Sequence, residues 1–185
     1  MDNYVITIAR EYGSGGKTIG KMLADHLGIP CYDMEILRMA SDDSGINEQL
    51  FAKSDEQLKR PIFFKPSRSV YTDELIPPGS KNFVSEENLF NYQAKIIKML
   101  ADKESCVIIG RCADFVLKDR PNVLKVYVHA PFENCVKTTM EIRNLDQAEA
   151  ETKATIAEHE RIDPFYDGVL STIQTFREYI KKMRK

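Results

Sequence analysis

The sequence predicts an α/β fold: a parallel sheet of about five strands with helices on both faces, in a single domain spanning 1–185. Three observations carry that expectation. Short runs of consecutive apolar, β-branched residues recur along the chain, as strands buried on both faces require. Stretches of helical spacing separate them, which gives right-handed β-α-β crossovers. A glycine-rich turn joins the first strand directly to the first helix.

Tyr4–Ala9 (Y-V-I-T-I-A) is the first strand, followed by Gly13-Ser14-Gly15-Gly16 and a helix over Lys17–Leu27. Ile19, Met22, Leu23, His26 and Leu27 fall at helical spacing there and form its expected apolar face. Gly28-Ile29-Pro30 stops this helix, and Ile29–Tyr32 is a short second strand. Met34–Ala40 reads as the next helix, with Asp33 as its N-cap. Between Ser41 and Lys81 periodicity fades and prolines and polar residues accumulate, so 41–81 reads as a functional insertion or lid. Asn82–Lys103 regains helical spacing; its apolar stripe is read as core, and as an interface it would make a homodimer. Cys106–Ile109 is a third strand ending in Gly110-Arg111, and Val123–His129 a fourth. Helices near Phe132–Arg143 and Gln147–Arg161, a strand over Gly168–Leu170 and a helix over Ile173–Met183 complete the chain.

Composition narrows the function. Lys plus Arg is 26 against 28 Asp plus Glu, a formal net charge of -2, which argues against a dedicated nucleic-acid binder. No run of eighteen apolar residues or charged-then-apolar leader stands in the sequence, so neither a membrane span nor a secretory signal is expected. Cys31, Cys106, Cys112 and Cys135 lie at irregular spacings with no C-x-x-C pair, which speaks for reduced thiols and a cytoplasmic protein.

Ligands of open parallel sheets sit beyond the carboxyl ends of the strands, where the Gly13 turn, Asp33, Arg111 and the segment after His129 gather. The most informative segment is Arg10-Glu11-Tyr12-Gly13-Ser14-Gly15-Gly16-Lys17-Thr18. Glycines let successive N–H groups point inward, and the following helix adds the positive end of its dipole, so a polyphosphate is the natural occupant. Gly16-Lys17-Thr18 matches the end of G-x-x-x-x-G-K-[ST], in which Lys reaches the terminal phosphates and Thr holds magnesium; Glu11 stands at the first glycine. A dinucleotide fingerprint beginning at Gly13 would need glycine where Thr18 stands.

The chain resembles the cytidylate kinase-like branch of the nucleoside monophosphate kinases. Four pieces carry the resemblance in order: Ile6–Gly20, Leu27–Leu37, Val107–Leu117 (V-I-I-G-R-C-A-D-F-V-L) and Val126–Glu133 (V-Y-V-H-A-P-F-E). It implies a P-loop kinase fold with a helical lid over 132–166 and an acceptor-side insertion over 41–81. It also implies ATP and Mg2+ at the Gly13 loop and a nucleoside monophosphate, CMP above others, opposite. Gly13, Ser14, Gly15, Gly16, Lys17 and Thr18 would hold ATP, Thr18 the metal, and Arg38 and Arg111 the acceptor phosphate, where a guanidinium fork suits the oxygens. Asp33 and Asp114 would meet its sugar or base.

Two departures stand out. Anchored on Gly13-Ser14-Gly15, Lys17 falls one residue later than the family's lysine, which makes Arg10 a second candidate for the phosphates. In the lid, Cys135 replaces a common arginine and the chain runs almost at once from Arg161 to Tyr166-Asp167, leaving Lys137, Arg143 and Arg161 as lid cations. Two rival functions remain open: a P-loop kinase for another small phosphate acceptor, and a nucleotide-binding sensor with a degenerate lid.

Overall fold

The computed structural model describes residues 3–57 and 74–159. Four parallel strands form the sheet in the order β2-β3-β1-β4: β1 (Val5–Arg10), β2 (Cys31–Tyr32), β3 (Cys106–Ile109) and β4 (Val123–Val128). The expected fifth strand, Gly168–Leu170, and the last helix lie outside the described residues. Among the described residues seven helices accompany these strands: α1 (Gly16–Leu27), α2 (Glu35–Ser44), α3 (Glu48–Gln57), α4 (Glu86–Lys103), α5 (Ala113–Val116), α6 (Phe132–Arg143) and α7 (Gln147–His159).

Register explains the two-sided core. Val5 pairs with Cys106 and Ile6 with Val107, so alternate residues of the central strands point to opposite faces in step. Val5, Cys106 and Ile108 meet Ile36, Leu37, Ile97 and Leu100 of α2 and α4. Ile6, Ile8, Val107 and Ile109 face Ala24 of α1 on the other side. A third, smaller core of Cys135, Val136, Ala150 and Ala154 joins α6 to α7.

Helix α1 corrects the sequence expectation about its buried face. Gly16, Gly20 and Ala24 are the buried positions, whereas Ile19 and Met22 are 46% and 66% exposed. The small stripe lets the helix lie very close to the sheet: a Cβ on Gly20 would stand 2.8 Å from Ile109 Cδ1 and 3.0 Å from Ile8 Cδ1. That approach brings the first turn of α1 directly over the end of β1.

Helix α2 carries a second correction. Asp33 does not cap it; Met34 occupies the N-cap with helical backbone and no side-chain cap bond. The Asp33 N–H instead donates to Glu35 Oε2 at 3.0 Å. The weakly periodic 41–81 stretch contains the end of α2 and all of α3, which docks through the fully buried Phe51. Its far end is tied to α4 by Asn88, whose side chain accepts from Ile76 N–H and donates to the Ile76 and Phe83 carbonyls. Ser85 caps α4 by accepting from Asn88 N–H, so this helix begins later than Asn82. No disulfide joins the four cysteines, and burial pushes the Cys106 thiol up to about 12. Among the described residues no helix is long and apolar enough to cross a membrane.

Candidate functional site

The carboxyl ends of the four strands form one edge, and the glycine turn crosses it between β1 and α1. Gly13 and Gly15 hold left-handed backbone, φ 81° and 82°, which a side chain would strain. Their surroundings differ. A Cβ on Gly13 would press on the Cys135 backbone and stand 2.7 Å from Thr139 Oγ1, so the turn is wedged beneath α6. At Gly15 a Cβ would meet nothing within 4 Å among the described residues, which leave its surroundings open.

The turn's donors divide in the same way. Ser14 folds back, its N–H and hydroxyl both donating to the Glu11 carbonyl at 3.3 and 2.8 Å. Gly15, Gly16, Lys17 and Thr18 give their N–H groups to no backbone acceptor among the described residues, as the first turn of a helix does. Four donors in a row, at the positive end of α1 and beside an open approach, fit an anion carrying several oxygens. Thr18, exposed in that first turn, has the hydroxyl that a phosphate-bound magnesium takes.

The cations lie toward β3 and β2. Arg10, at the end of β1, packs its stem on Gly16 and extends its guanidinium across to Gly110, where a Cβ would lie 3.0 Å from Arg10 Cζ. Lys17, with a half-exposed side chain, pairs its Nζ with Asp33 Oδ2 at 2.7 Å, across to the end of β2. Asp33 itself is 7% exposed. Arg111 and Cys112 both adopt left-handed backbone, φ 59° and 49°, at a strain of roughly 1–2 kcal/mol each. Strain of this kind collects where a side chain must be aimed. Arg111 Nη2 reaches Met34 Sδ at 2.9 Å, at the start of α2. Arg38 is exposed one turn beyond Met34 on the same helix face. Arg10, Lys17, Asp33, Arg38 and Arg111 therefore share one side of the loop.

Asp114 sits differently. It is in the first turn of α5, and burial pushes its carboxyl up, against the pull of nearby amides and of Lys125 in the middle of β4. Arg143 ends α6, exposed and one turn past Thr139, which borders Gly13. Lys137 is exposed on the same helix. Cys135 is 3% exposed within the α6–α7 core, so its side chain does not look onto the open edge. Arg161 lies outside the described residues.

One residue of the site escaped the sequence reading except as a missing glycine. Glu11 is 8% exposed, and its carboxylate accepts from Tyr127 Oη at 3.3 Å, His129 Nδ1 at 2.7 Å and Ala130 N–H at 3.2 Å. A signal was present: an acidic residue directly follows one strand, while Tyr127 and His129 stand at the end of its neighbour.

A strand, a glycine turn with amides unmatched among the described residues and a lysine-bearing helix on a parallel sheet make up a P-loop fold. Solved structures share the architecture. An uncharacterized protein from Eubacterium ventriosum ATCC 27560 has 25% identity and a TM-score of 0.53, covering 86% of this chain and 73% of that one. Shikimate kinase from Acinetobacter baumannii, in complex with shikimate, has 17% identity and a TM-score of 0.51, covering 90% and 80%. Shikimate kinase from Bacteroides thetaiotaomicron has 15% identity and a TM-score of 0.55, covering 96% and 98%. At such identities the two shikimate kinases speak to fold alone. No curated protein matched the sequence. Residues 5–179 match the cytidylate kinase-like family, and the chain belongs to that family.

Proposed function

We propose that this kinase transfers a phosphoryl group from ATP to a nucleoside monophosphate, with CMP the preferred acceptor. The observation that carries the reading is the row of unmatched donors from Gly15 to Thr18, set beside Arg111 and Arg38 on one sheet edge. Phosphoryl transfer asks a protein mainly to align two substrates and to offset charge on the moving group. Gly13 and Ser14 shape the loop, while Gly15, Gly16, Lys17 and Thr18 donate to the ATP phosphates. Magnesium on the Thr18 hydroxyl would draw further charge from them. Arg38 and Arg111 grip the acceptor phosphate with paired guanidinium donors. Asp33, braced by Lys17, and Asp114 face the acceptor's sugar or base. Arg10 supplements Lys17, and Arg143 and Arg161 close from the lid region, 132–166. The preference for CMP rests on family membership. A small-nucleotide substrate and unbridged cysteines suit a cytoplasmic enzyme.

The Lys17–Asp33 pair favours one second reading. With its lysine held by a carboxylate, the loop would serve a nucleotide sensor rather than a catalyst. Steady-state phosphoryl transfer from ATP with magnesium across a panel of monophosphates separates the two. The kinase reading expects turnover with CMP fastest and dCMP or UMP next; no turnover with any of them refutes it.

A further inference from the structure

We propose that Glu11 is a positioning residue: its carboxylate fixes the phosphate loop to the root of α6 and so holds the loop ready for nucleotide. The proposal rests on the loop being the ATP site and adds a residue to its machinery.

Glu11 grips in both directions. Its main chain belongs to the loop, where the Glu11 carbonyl accepts from Ser14 N–H and Ser14 Oγ, and its N–H donates to the Val128 carbonyl. Its side chain belongs to the next strand, accepting from Tyr127 in β4 and from His129 and Ala130, the residues that lead into α6. A nearly buried carboxylate is costly unless hydrogen-bonded, and three donors meet this one. Glycine at this place would keep the main-chain bonds and lose the three side-chain ones. A second tie lies one turn along, where Gly13 sits against Cys135 and Thr139 of α6. Loop and α6 are therefore joined at two points, and a shift of the helix carries the loop with it. With Ser14 locked to Glu11, the four donors that follow keep their direction before any ligand arrives. Preorganised donors bind more tightly because less ordering remains to be done.

The Ser14 amide reports the effect without depending on nucleotide. Its acceptor is the Glu11 main-chain carbonyl, which side-chain substitutions leave in place. Hydrogen exchange at Ser14 is to be compared in the nucleotide-free wild type, Glu11→Gln and Glu11→Ala, with Val107 N–H, bonded to the Pro30 carbonyl, as the reference for global opening. ATP with magnesium is titrated into the same three proteins, and CMP separately. The proposal expects exchange at Ser14 at least tenfold faster in Glu11→Ala, and a smaller change in Glu11→Gln, which keeps one acceptor oxygen. Val107 exchange and CMP affinity should stay within about twofold, while ATP affinity falls about tenfold in Glu11→Ala. If that variant does not fold, Glu11→Gln and Tyr127→Phe carry the same comparison with effects of a few-fold. Unchanged Ser14 exchange, or equal acceleration at Ser14 and Val107, overturns the proposal. Should wild type bind no ATP, the nucleotide reading fails, and Ser14 exchange alone decides whether Glu11 positions the loop.

Discussion

The two halves of the sheet edge are built from different materials. On the β1–β4 side the phosphate loop is made of backbone and nearly buried groups: Gly13 wedged under α6, Ser14 folded onto Glu11, and Glu11 bound to Tyr127, His129 and Ala130. On the β2–β3 side the edge is made of long cationic side chains, Lys17 on Asp33 and Arg111 on Met34, with Arg38 exposed nearby. Changes on the first side should disturb folding and binding together. Changes on the second should alter binding and leave the fold alone.

The sharpest way to break that contrast is Gly13→Ala. Overpacking against Cys135 and Thr139 costs about 1–3 kcal/mol, and left-handed backbone adds about 1–2 kcal/mol. Thermal unfolding should therefore show a large loss of stability, together with loss of nucleotide binding. Equal stability would mean the loop is not wedged.

A smaller effect is expected from Lys17→Ala and Arg10→Ala. The first releases Asp33 and the second frees the space over Gly110, and neither touches the core. Each should weaken ATP binding a few-fold by calorimetry, with melting temperatures close to wild type. A loss confined to Lys17→Ala would make that lysine the sole phosphate partner.

The smallest change concerns Asp114, whose carboxyl burial raises. The folded state then binds this proton more tightly than the unfolded state, so stability falls as pH rises from the unfolded value through the folded one, and the penalty is full at neutrality. Asp114→Asn should raise the melting temperature slightly at pH 7 and not at pH 3. An identical shift at both would assign the effect to packing.

What the sequence made legible follows the same divide. Cys106–Ile109 and Phe132–Arg143 appear in the structure with those bounds, because a short apolar run and clear helical spacing mark them. The glycine turn lies where expected, and Arg111 and Asp33 come to its edge. Other features left no apolar trace. The buried face of α1 is two glycines and an alanine, which a hydrophobic pattern cannot signal, and the larger Ile19 and Met22 misdirected it. Among the described side chains of α3 one, Phe51, is fully buried, too little for a period to emerge. Glu11 was read only as a missing glycine, since its partners are more than a hundred residues away and only strand pairing brings them together.

The central claim, a donor site on the Gly13 loop and a separate acceptor site at Arg111, is tested most directly by crossed titrations. ATP with magnesium and CMP are each titrated into wild type, Gly15→Val and Arg111→Lys. The described residues leave the surroundings of Gly15 open, so a valine there should block the approach of phosphate and abolish ATP binding while CMP binding survives. Arg111→Lys keeps the charge but loses the paired donors, so CMP binding should weaken by roughly 1.5–3 kcal/mol with ATP affinity unchanged. If each variant loses both ligands alike, or wild type binds ATP but no monophosphate at millimolar concentration, the two-site account is contradicted.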